Sequence, residues 1–280
     1  MTPQTIAVTG GNGKLGKAVV ADLRAHGNTV IVLDQNGARE DGFVRVDLSD
    51  YGQVIDAVFG VNDQHSGLDA IVHLGAVPAP GLVPDASVFH NNMTSTFNVF
   101  QAARRAAITR IVYASSETVL GLPFETPPPY IPVDEEYDTR PESVYSLVKH
   151  LEEEMARKLV RWDPTLSITA LRFSNVMDPS DYAAFSDFTA ASRRWNLWGY
   201  IDARDGAQAV RRALAAAQPG FEAFIIAAAD TVLSEPNASL VAREFPAVPY
   251  TPTQGENATL LSIDKARRVL GFEPEYSWRD

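Results

Sequence analysis

Thr5-Ile6-Ala7-Val8-Thr9-Gly10-Gly11-Asn12-Gly13-Lys14-Leu15-Gly16 is the stretch that decides the reading of the chain. A short β-branched run enters a glycine-rich turn, and the residues from 14 to 26 continue with helical periodicity. The turn satisfies G-x-G-x-x-G at Gly11, Gly13 and Gly16, and T-G-x-x-G-x-x-G at Thr9, Gly10, Gly13 and Gly16. Glycines allow a tight turn and a close backbone approach to a pyrophosphate. The free N–H groups and positive dipole end of the following helix complement that negative charge. No G-K-[ST] closes the loop, so it is not of the P-loop type.

The same rhythm continues outward. Apolar runs at Val30–Leu33, Phe43–Val46, Ala70–Leu74, Ile111–Tyr113 and Ile168–Leu171 are short and lack clean alternation, as expected of parallel strands covered on both faces. Helical stretches near 14–26, 50–59, 86–107 and 143–162 separate them. This predicts right-handed βαβ units in an α/β fold, a Rossmann-type doubly wound parallel sheet over residues 1–173. Residues 174–280 read as a small, partial C-terminal substrate lobe interleaved with the end of the sheet. In that lobe 174–200 is irregular, helices fall near 203–217, 236–244 and 263–270, and one strand falls near 223–229. Asp34 closes the second run, 18 residues after Gly16. A carboxylate there accepts hydrogen bonds from adenosine ribose hydroxyls and repels a 2′-phosphate, which predicts NAD over NADP. Arg39, five residues on, would act against that preference. Asp47 follows the third run and is placed either to reach an adenine amino group or to cap the next helix.

Composition sets outer limits. The 280 residues carry 24 Lys and Arg against 35 Asp and Glu, a net charge of −11, which disfavours nucleic acid or an anionic membrane as partner. There is no cysteine, so disulfides, thiolate metal sites and cysteine nucleophiles are excluded. The longest uninterrupted apolar run, Ala223–Ala229, is far below a membrane span, and no basic n-region and apolar h-region open the chain. The expectation is a cytoplasmic protein.

Two features point to chemistry. Residues 121–141 are rich in proline and follow a strand, where α/β proteins build sites. Directly after them Tyr145 and Lys149 stand four apart on a predicted helix and so share a face. The preceding strand ends in Ser115 and Ser116. Moving a hydride from an alcohol requires a base for the hydroxyl proton. A phenol has a pKa near 10, and an adjacent ammonium and a cationic nicotinamide would lower it.

With these motifs the chain resembles the extended short-chain dehydrogenase/reductase superfamily, and within it the NAD-dependent epimerase/dehydratase family. The resemblance extends through Asp47-Leu48, His73-Leu74-Gly75-Ala76, Asn92 to Asn98, Ser115 to Gly121, Tyr145 to Lys149, Leu171 to Val176, Tyr200 to Asp205, and Asp264 to Gly271. It implies Tyr145 as acid/base, Lys149 as its activator and Ser116 as the catalytic hydroxyl. It implies that Gly10, Gly13, Lys14, Leu15, Gly16, Asp34, Asp47, Leu48, Leu74, Gly75, Ala76, Ser115, Tyr145, Lys149, Phe173 and Val176 hold NAD. Asn175 is implied as a substrate contact, with Ser116 and Tyr145. It also implies a homodimer through the helices at 86–107 and 143–162, with Phe97, Phe100, Leu151, Met155 and Leu159 as candidate contacts. Asn92 reads as a helix-to-strand tie, Asp202 with Asp205 as a helix cap, His73 as a packed residue and His65 as solvent-exposed.

The chain also departs from the family. Nucleotide-sugar members use a longer stretch after the position of Asn175; here 24 residues separate Asn175 from Tyr200. A smaller polar, sugar-like substrate fits better. Arg193 and Arg194 in that segment are candidates to pair with a substrate carboxylate, as in the similar uronate dehydrogenases. Those enzymes follow the serine pair with Asn-His, whereas this chain has Glu117-Thr118. The expected activity is oxidoreduction of a secondary alcohol or carbonyl. The alternatives are epimerisation without net redox and a non-catalytic NAD-binding regulator.

Overall fold

The computed structural model describes residues 3–38, 42–61, 63–124 and 126–280. Arg39 lies outside them. The first half alternates as the apolar pattern requires. Strands β1 (Thr5–Thr9), β2 (Thr29–Asp34), β3 (Phe43–Arg45), β4 (Ala70–His73), β5 (Arg110–Ser116) and β6 (Ser167–Phe173) interleave with helices α1 (Lys14–Ala25), α2 (Tyr51–Val58), α3 (Asp85–Arg105) and α4 (Val144–Trp162). The second half holds β7 (Val176–Met177), α5 (Ala190–Arg193), β8 (Ile201–Asp202), α6 (Ala203–Ala216), β9 (Gly220–Ile226), α7 (Asn237–Glu244) and α8 (Asp264–Leu270).

Seven strands form one parallel sheet in the order β3-β2-β1-β4-β5-β6-β9. Chain order reverses between β1 and β4, and ligands of doubly wound sheets bind at the carboxyl end of such a switch point. One apolar layer, including Ile31, Ile71, Phe100 and Ile168, lies under α2, α3 and α4. The other includes Val8, Val32, Leu171 and Phe224, and it runs on without a break into α6, α7 and α8. The C-terminal lobe and the sheet therefore share a core. The strand expected near 223–229 begins earlier and ends at Ile226, the partner of Phe173. Beyond it Ala228 N–H turns to the Tyr200 carbonyl at 2.7 Å. The irregular stretch 174–200 contains β7, α5 and two 3₁₀ runs, Pro179–Asp187 and Arg194–Asn196.

Helix α4 carries the candidate Tyr and Lys, so its seat on the sheet matters most. Ser143 opens it with a reciprocal cap: its hydroxyl accepts from Ser146 N–H at 3.1 Å, and Ser143 N–H donates to the Ser146 hydroxyl at 2.8 Å. That fixes the start of the helix two residues before Tyr145. Further along, Glu153 accepts from Arg172 of β6 through two bonds, Nε to Oε1 at 2.9 Å and Nη2 to Oε2 at 2.8 Å. The Ser115 hydroxyl of β5 adds a third at 2.7 Å. Both charged side chains are buried, 3% and 1% exposed, so each stabilises the fold only while the other is present.

Removing one partner tests this seat. Arg172→Leu should destabilise the protein by about 3–5 kcal/mol, because Glu153 is left buried with a weakened counter-charge. Arg172→Leu with Glu153→Leu should recover most of the loss. Urea unfolding midpoints of the two variants decide it, and equal midpoints would show that the pair does not act as a unit.

Candidate active site

A cleft of about 1100 Å³ runs along the carboxyl ends of the strands. From β2 to β6 it crosses four strand steps, roughly 19 Å at ordinary sheet spacing. Gly10, Gly13, Lys14, Leu15, Gly16, Asp34, Leu48, Leu74, Gly75, Ala76, Ser115, Ser116, Tyr145, Lys149, Phe173, Asn175 and Val176 all line it. The glycine loop is built for close approach. Gly10 has φ of +66°, and a Cβ there would fall 2.7 Å from Gly75 N. A Cβ on Gly16 would fall 2.1 Å from the Gly10 carbonyl oxygen. Helix α1 starts after Gly13 with no side-chain cap, so its first N–H groups remain available to an anion. Asp34 accepts the backbone N–H of Asn12 at 3.0 Å and of Asn36 at 3.1 Å, one on each oxygen. A carboxylate has about four lone-pair sites, so capacity remains for hydroxyl donors. An uncapped helix end, a side-chain-free loop and a fixed carboxylate along one groove fit a dinucleotide. Lys14 and Asp181 form an ion pair from the loop to the 3₁₀ run Pro179–Asp187.

At the middle of the cleft three polar side chains meet. The Ser116 hydroxyl oxygen accepts from Thr118 N–H at 3.2 Å and from the Thr118 hydroxyl at 3.0 Å. The same hydroxyl acts on the Tyr145 phenol and lowers its pKa. Lys149 Nζ donates to the Ala114 carbonyl at 2.8 Å and stands 5.9 Å from the Tyr145 ring centre. Burial pushes the Tyr145 phenol above its ordinary pKa; Lys149 and Ser116 pull it down, and Glu152 and Glu117 push it up. Burial is the largest of these effects, so the net direction is upward. Lys149 Nζ also donates to Glu152 Oε2 at 2.9 Å, and the pair is 4% and 0% exposed. Burial opposes the ammonium, yet Glu152, with Tyr145 and Glu153, raises the Lys149 pKa on balance.

Glu152 ends a hydrogen-bond chain whose direction is fixed throughout. Thr9 Oγ1 accepts from Leu74 N–H and Gly75 N–H, both at 3.1 Å, so its hydrogen goes to His73 Nδ1 at 2.7 Å. His73 then donates from Nε2 to Thr96 Oγ1 at 3.0 Å, and Thr96 donates to Glu152 Oε1 at 2.7 Å. Burial, with Lys149 adding to it, lowers the His73 pKa to about 3, so the ring is neutral and this tautomer is set. The glycine loop, the end of β4, α3 and the lysine of α4 are thus one polar unit.

One backbone bond crosses beside the far end of the cleft. Phe124 N–H donates to the Trp195 carbonyl at 3.2 Å, and Pro123 and Trp195 both face the cleft. Glu117, also on the lining, is 3% exposed and accepts the Ser174 hydroxyl at 2.6 Å and the Asn196 amide at 3.2 Å. Burial pushes its carboxyl up to about 7, against those hydrogen bonds and the nearby Arg193.

Three residues assigned from the sequence are engaged by other groups. The Asp47 Oδ1 accepts Ser49 N–H at 2.9 Å and the Ser49 hydroxyl at 2.7 Å in the turn before α2. The cap of α2 itself is Asp50. Arg193 is buried behind the wall, with Nη2 on the Gly199 carbonyl at 2.8 Å and its guanidinium 5.0 Å from the Trp195 ring centre. Arg194 lies over Phe245 at 4.7 Å, with Glu244 at 3.8 Å. Neither arginine faces the cleft. Among the structural readings, Asn92 ties α3 to Val77 through two bonds, 2.8 and 3.0 Å. Asp202 caps α6 at Arg204 N–H, 2.8 Å, whereas Asp205 holds Glu275 and Tyr276 N–H groups at 2.9 and 3.0 Å. His65 is half-buried, not exposed, with Nε2 2.8 Å from the Ala57 carbonyl oxygen.

Sequence reasoning missed Glu152 and Thr96. A polar residue on the inward face of an otherwise apolar helix stripe was the available signal for both.

The sequence profile of the NAD dependent epimerase/dehydratase family matches residues 6–227. The UDP-glucose 4-epimerase of Drosophila melanogaster is 31% identical over 199 residues, 62% of this chain and 54% of that protein. That of Bacillus subtilis (strain 168) is 30% identical over 186 residues, 61% and 52%. The chain spans about half the length of these curated relatives. In structure, it is similar to a short-chain dehydrogenase/reductase superfamily protein from Agrobacterium tumefaciens with bound NAD, at a TM-score of 0.74 and 26% identity, covering 98% of this chain and 94% of that one. A UDP-galactose 4-epimerase is similar at a TM-score of 0.70 and 26% identity, with the same 98% and 94% coverage.

The buried Glu117 carboxyl makes stability depend on pH. Its folded pKa of about 7 lies above the ordinary 4.5, so its contribution is full below 4.5 and is lost as pH rises through 7. Glu117→Gln should therefore gain stability relative to wild type between about pH 5 and 8, by on the order of 3 kcal/mol at most. Urea midpoints at the two pH values measure this; a difference that stays constant with pH excludes a raised Glu117 pKa.

Proposed function

The chain belongs to the NAD-dependent epimerase/dehydratase family, and from that premise we propose that it is an NAD-dependent oxidoreductase moving a hydride between NAD and a secondary alcohol or carbonyl of a sugar-like small molecule. The observation that carries the proposal is the meeting of Ser116, Tyr145 and Lys149 in the same cleft as the glycine loop and Asp34. The residues that would hold NAD are the loop from Gly10 to Gly16, Asp34, Leu48, Leu74 to Ala76, Ser115, Tyr145, Lys149, Phe173 and Val176. NAD, when bound, accepts a hydride from an alcohol carbon or returns one to a carbonyl carbon.

The chain's own residues handle the proton. In oxidation the Tyr145 oxygen takes the hydroxyl proton of the substrate; in reduction it gives one to the carbonyl oxygen. Ser116 donates its hydroxyl hydrogen to a substrate oxygen seated beside Tyr145 and steadies its developing charge. Lys149 supplies positive charge beside the phenol, and the Ala114 carbonyl and Glu152 fix its ammonium in place. A second reading, epimerisation, is favoured by the names of the curated relatives. It uses the same residues twice, since the hydride returns to the other face of the same carbon. Net accumulation of NADH marks the first reading. Interconversion of two stereoisomers without net NADH marks the second. A cytoplasmic location belongs to the same proposal.

A homodimer through α3 and α4 is also proposed. Phe97 and Leu147 stand 49% and 39% exposed on the outer face, with Leu151 and Met155 half-buried beside them. Phe100 and Leu159, by contrast, are buried among the side chains under α3 and α4. Light scattering after size-exclusion chromatography should give twice the chain mass, and Phe97→Asp should give the monomer.

For the chemistry, Tyr145→Phe should reduce turnover of an identified substrate by roughly 10²–10⁴ while NADH binding, read by fluorescence, is retained. A loss under about tenfold would remove Tyr145 from the acid/base role.

A further inference from the structure

Which sugar-like molecules the cleft admits follows from what lines its far end and how that end is charged. The wall is a backbone bridge: Phe124 N–H to the Trp195 carbonyl, 3.2 Å, joins the loop after β5 to the 3₁₀ run Arg194–Asn196. Pro123 and Trp195 present their side chains on its inner side. A substrate that reaches Tyr145 therefore meets an apolar and aromatic surface at Pro123 and Trp195.

The charge pattern acts in the same direction. Among the described residues lining this end, the ionisable side chains besides Tyr145 are Lys149 and Glu117. Lys149 already has its counter-ion in Glu152, at 2.9 Å. Glu117 is itself anionic once ionised, and its nearest cation, Arg193, is sealed behind Trp195 with its Nη2 on the Gly199 carbonyl. A carboxylate or diphosphate brought here would lose its water without gaining an unpaired cation. Hydroxyl groups face no such penalty. Ser116, Thr118, Ser143 and Asn175 line this end with neutral polar groups, and Trp195 offers an apolar face to ring C–H groups.

Resting on the enzyme reading above, we propose that the substrate is a small uncharged polyhydroxy compound, a free sugar or polyol carrying neither phosphate nor carboxylate, seated against Trp195.

The test uses the full chain saturated with NAD and three groups of probes: neutral sugars and polyols, uronates, and UDP with UDP-glucose. Saturation-transfer NMR reads binding, and NADH formation or stereoisomer interconversion reads turnover. Neutral compounds should bind and react, while uronates, UDP and UDP-glucose neither bind nor compete at tenfold higher concentration. Trp195→Ala should raise KM for the neutral substrate by roughly tenfold with little change in kcat. Trp195→Phe should restore part of the loss and guards against misfolding of the alanine variant. A uronate or UDP-sugar turned over with higher kcat/KM than every neutral compound overturns the proposal, as does a panel in which no neutral compound binds. If that anionic turnover collapses in Tyr145→Phe, the enzyme reading stands and only the substrate class falls. Failure of NAD itself to bind, seen in the same spectra, removes both.

Discussion

Two neighbouring carboxylates on one helix, Glu152 and Glu153, hold this structure together at its chemical centre. Each is buried, and an isolated charge in that setting is too unfavourable to persist. Each must therefore find its partners in the folded chain. Glu153 does so on the sheet, through Arg172 of β6 and Ser115 of β5. Glu152 does so along the cleft, through Lys149 and Thr96. A helix that slid by one residue would strand both. The placement of Tyr145 and Lys149 follows from that constraint, and so does the alignment of α4 with the glycine loop through His73 and Thr9.

The same arrangement limits how far lysine activates tyrosine. An ammonium beside a phenol stabilises the phenolate, but here part of its field ends on Glu152. Burial of Tyr145 then prevails and its proton is held more tightly than in water. The protein supplies geometry at Tyr145 more than it supplies basicity. Bound nicotinamide, being cationic, would act on the same phenol from the other side.

Much of this was legible in the residues. Short β-branched runs at a regular spacing gave the six N-terminal strands and their interleaved helices, because parallel strands and amphipathic helices obey simple periodicities. Thr9 to Gly16, Asp34, Ser116 and Tyr145 could be picked out because each sits at the end or start of such an element, and Lys149 one turn further along α4. Asp47 stayed ambiguous, since a carboxylate after a strand serves equally well in a turn, where Ser49 engages it. Arg193 and Arg194 misled because they lie in a stretch without periodicity, where nothing in the sequence says which way a side chain turns. Their aromatic neighbours Phe188, Trp195 and Phe245, brought close only by the fold, took them out of the cleft. Glu152 was overlooked because a polar residue on a helix is ordinarily read as surface.

The position of β9 has a consequence for how the molecule is made. It covers the outer side of β6, pairing from Ser167 to Phe173, yet it arrives some fifty residues later in the chain. Until it does, a growing chain already long enough to complete β6 shows a bare row of backbone N–H and C=O groups, a natural template for a stray strand. Shielding during synthesis is needed there rather than at the glycine turn, and a fragment cut at residue 173 would carry that sticky border permanently.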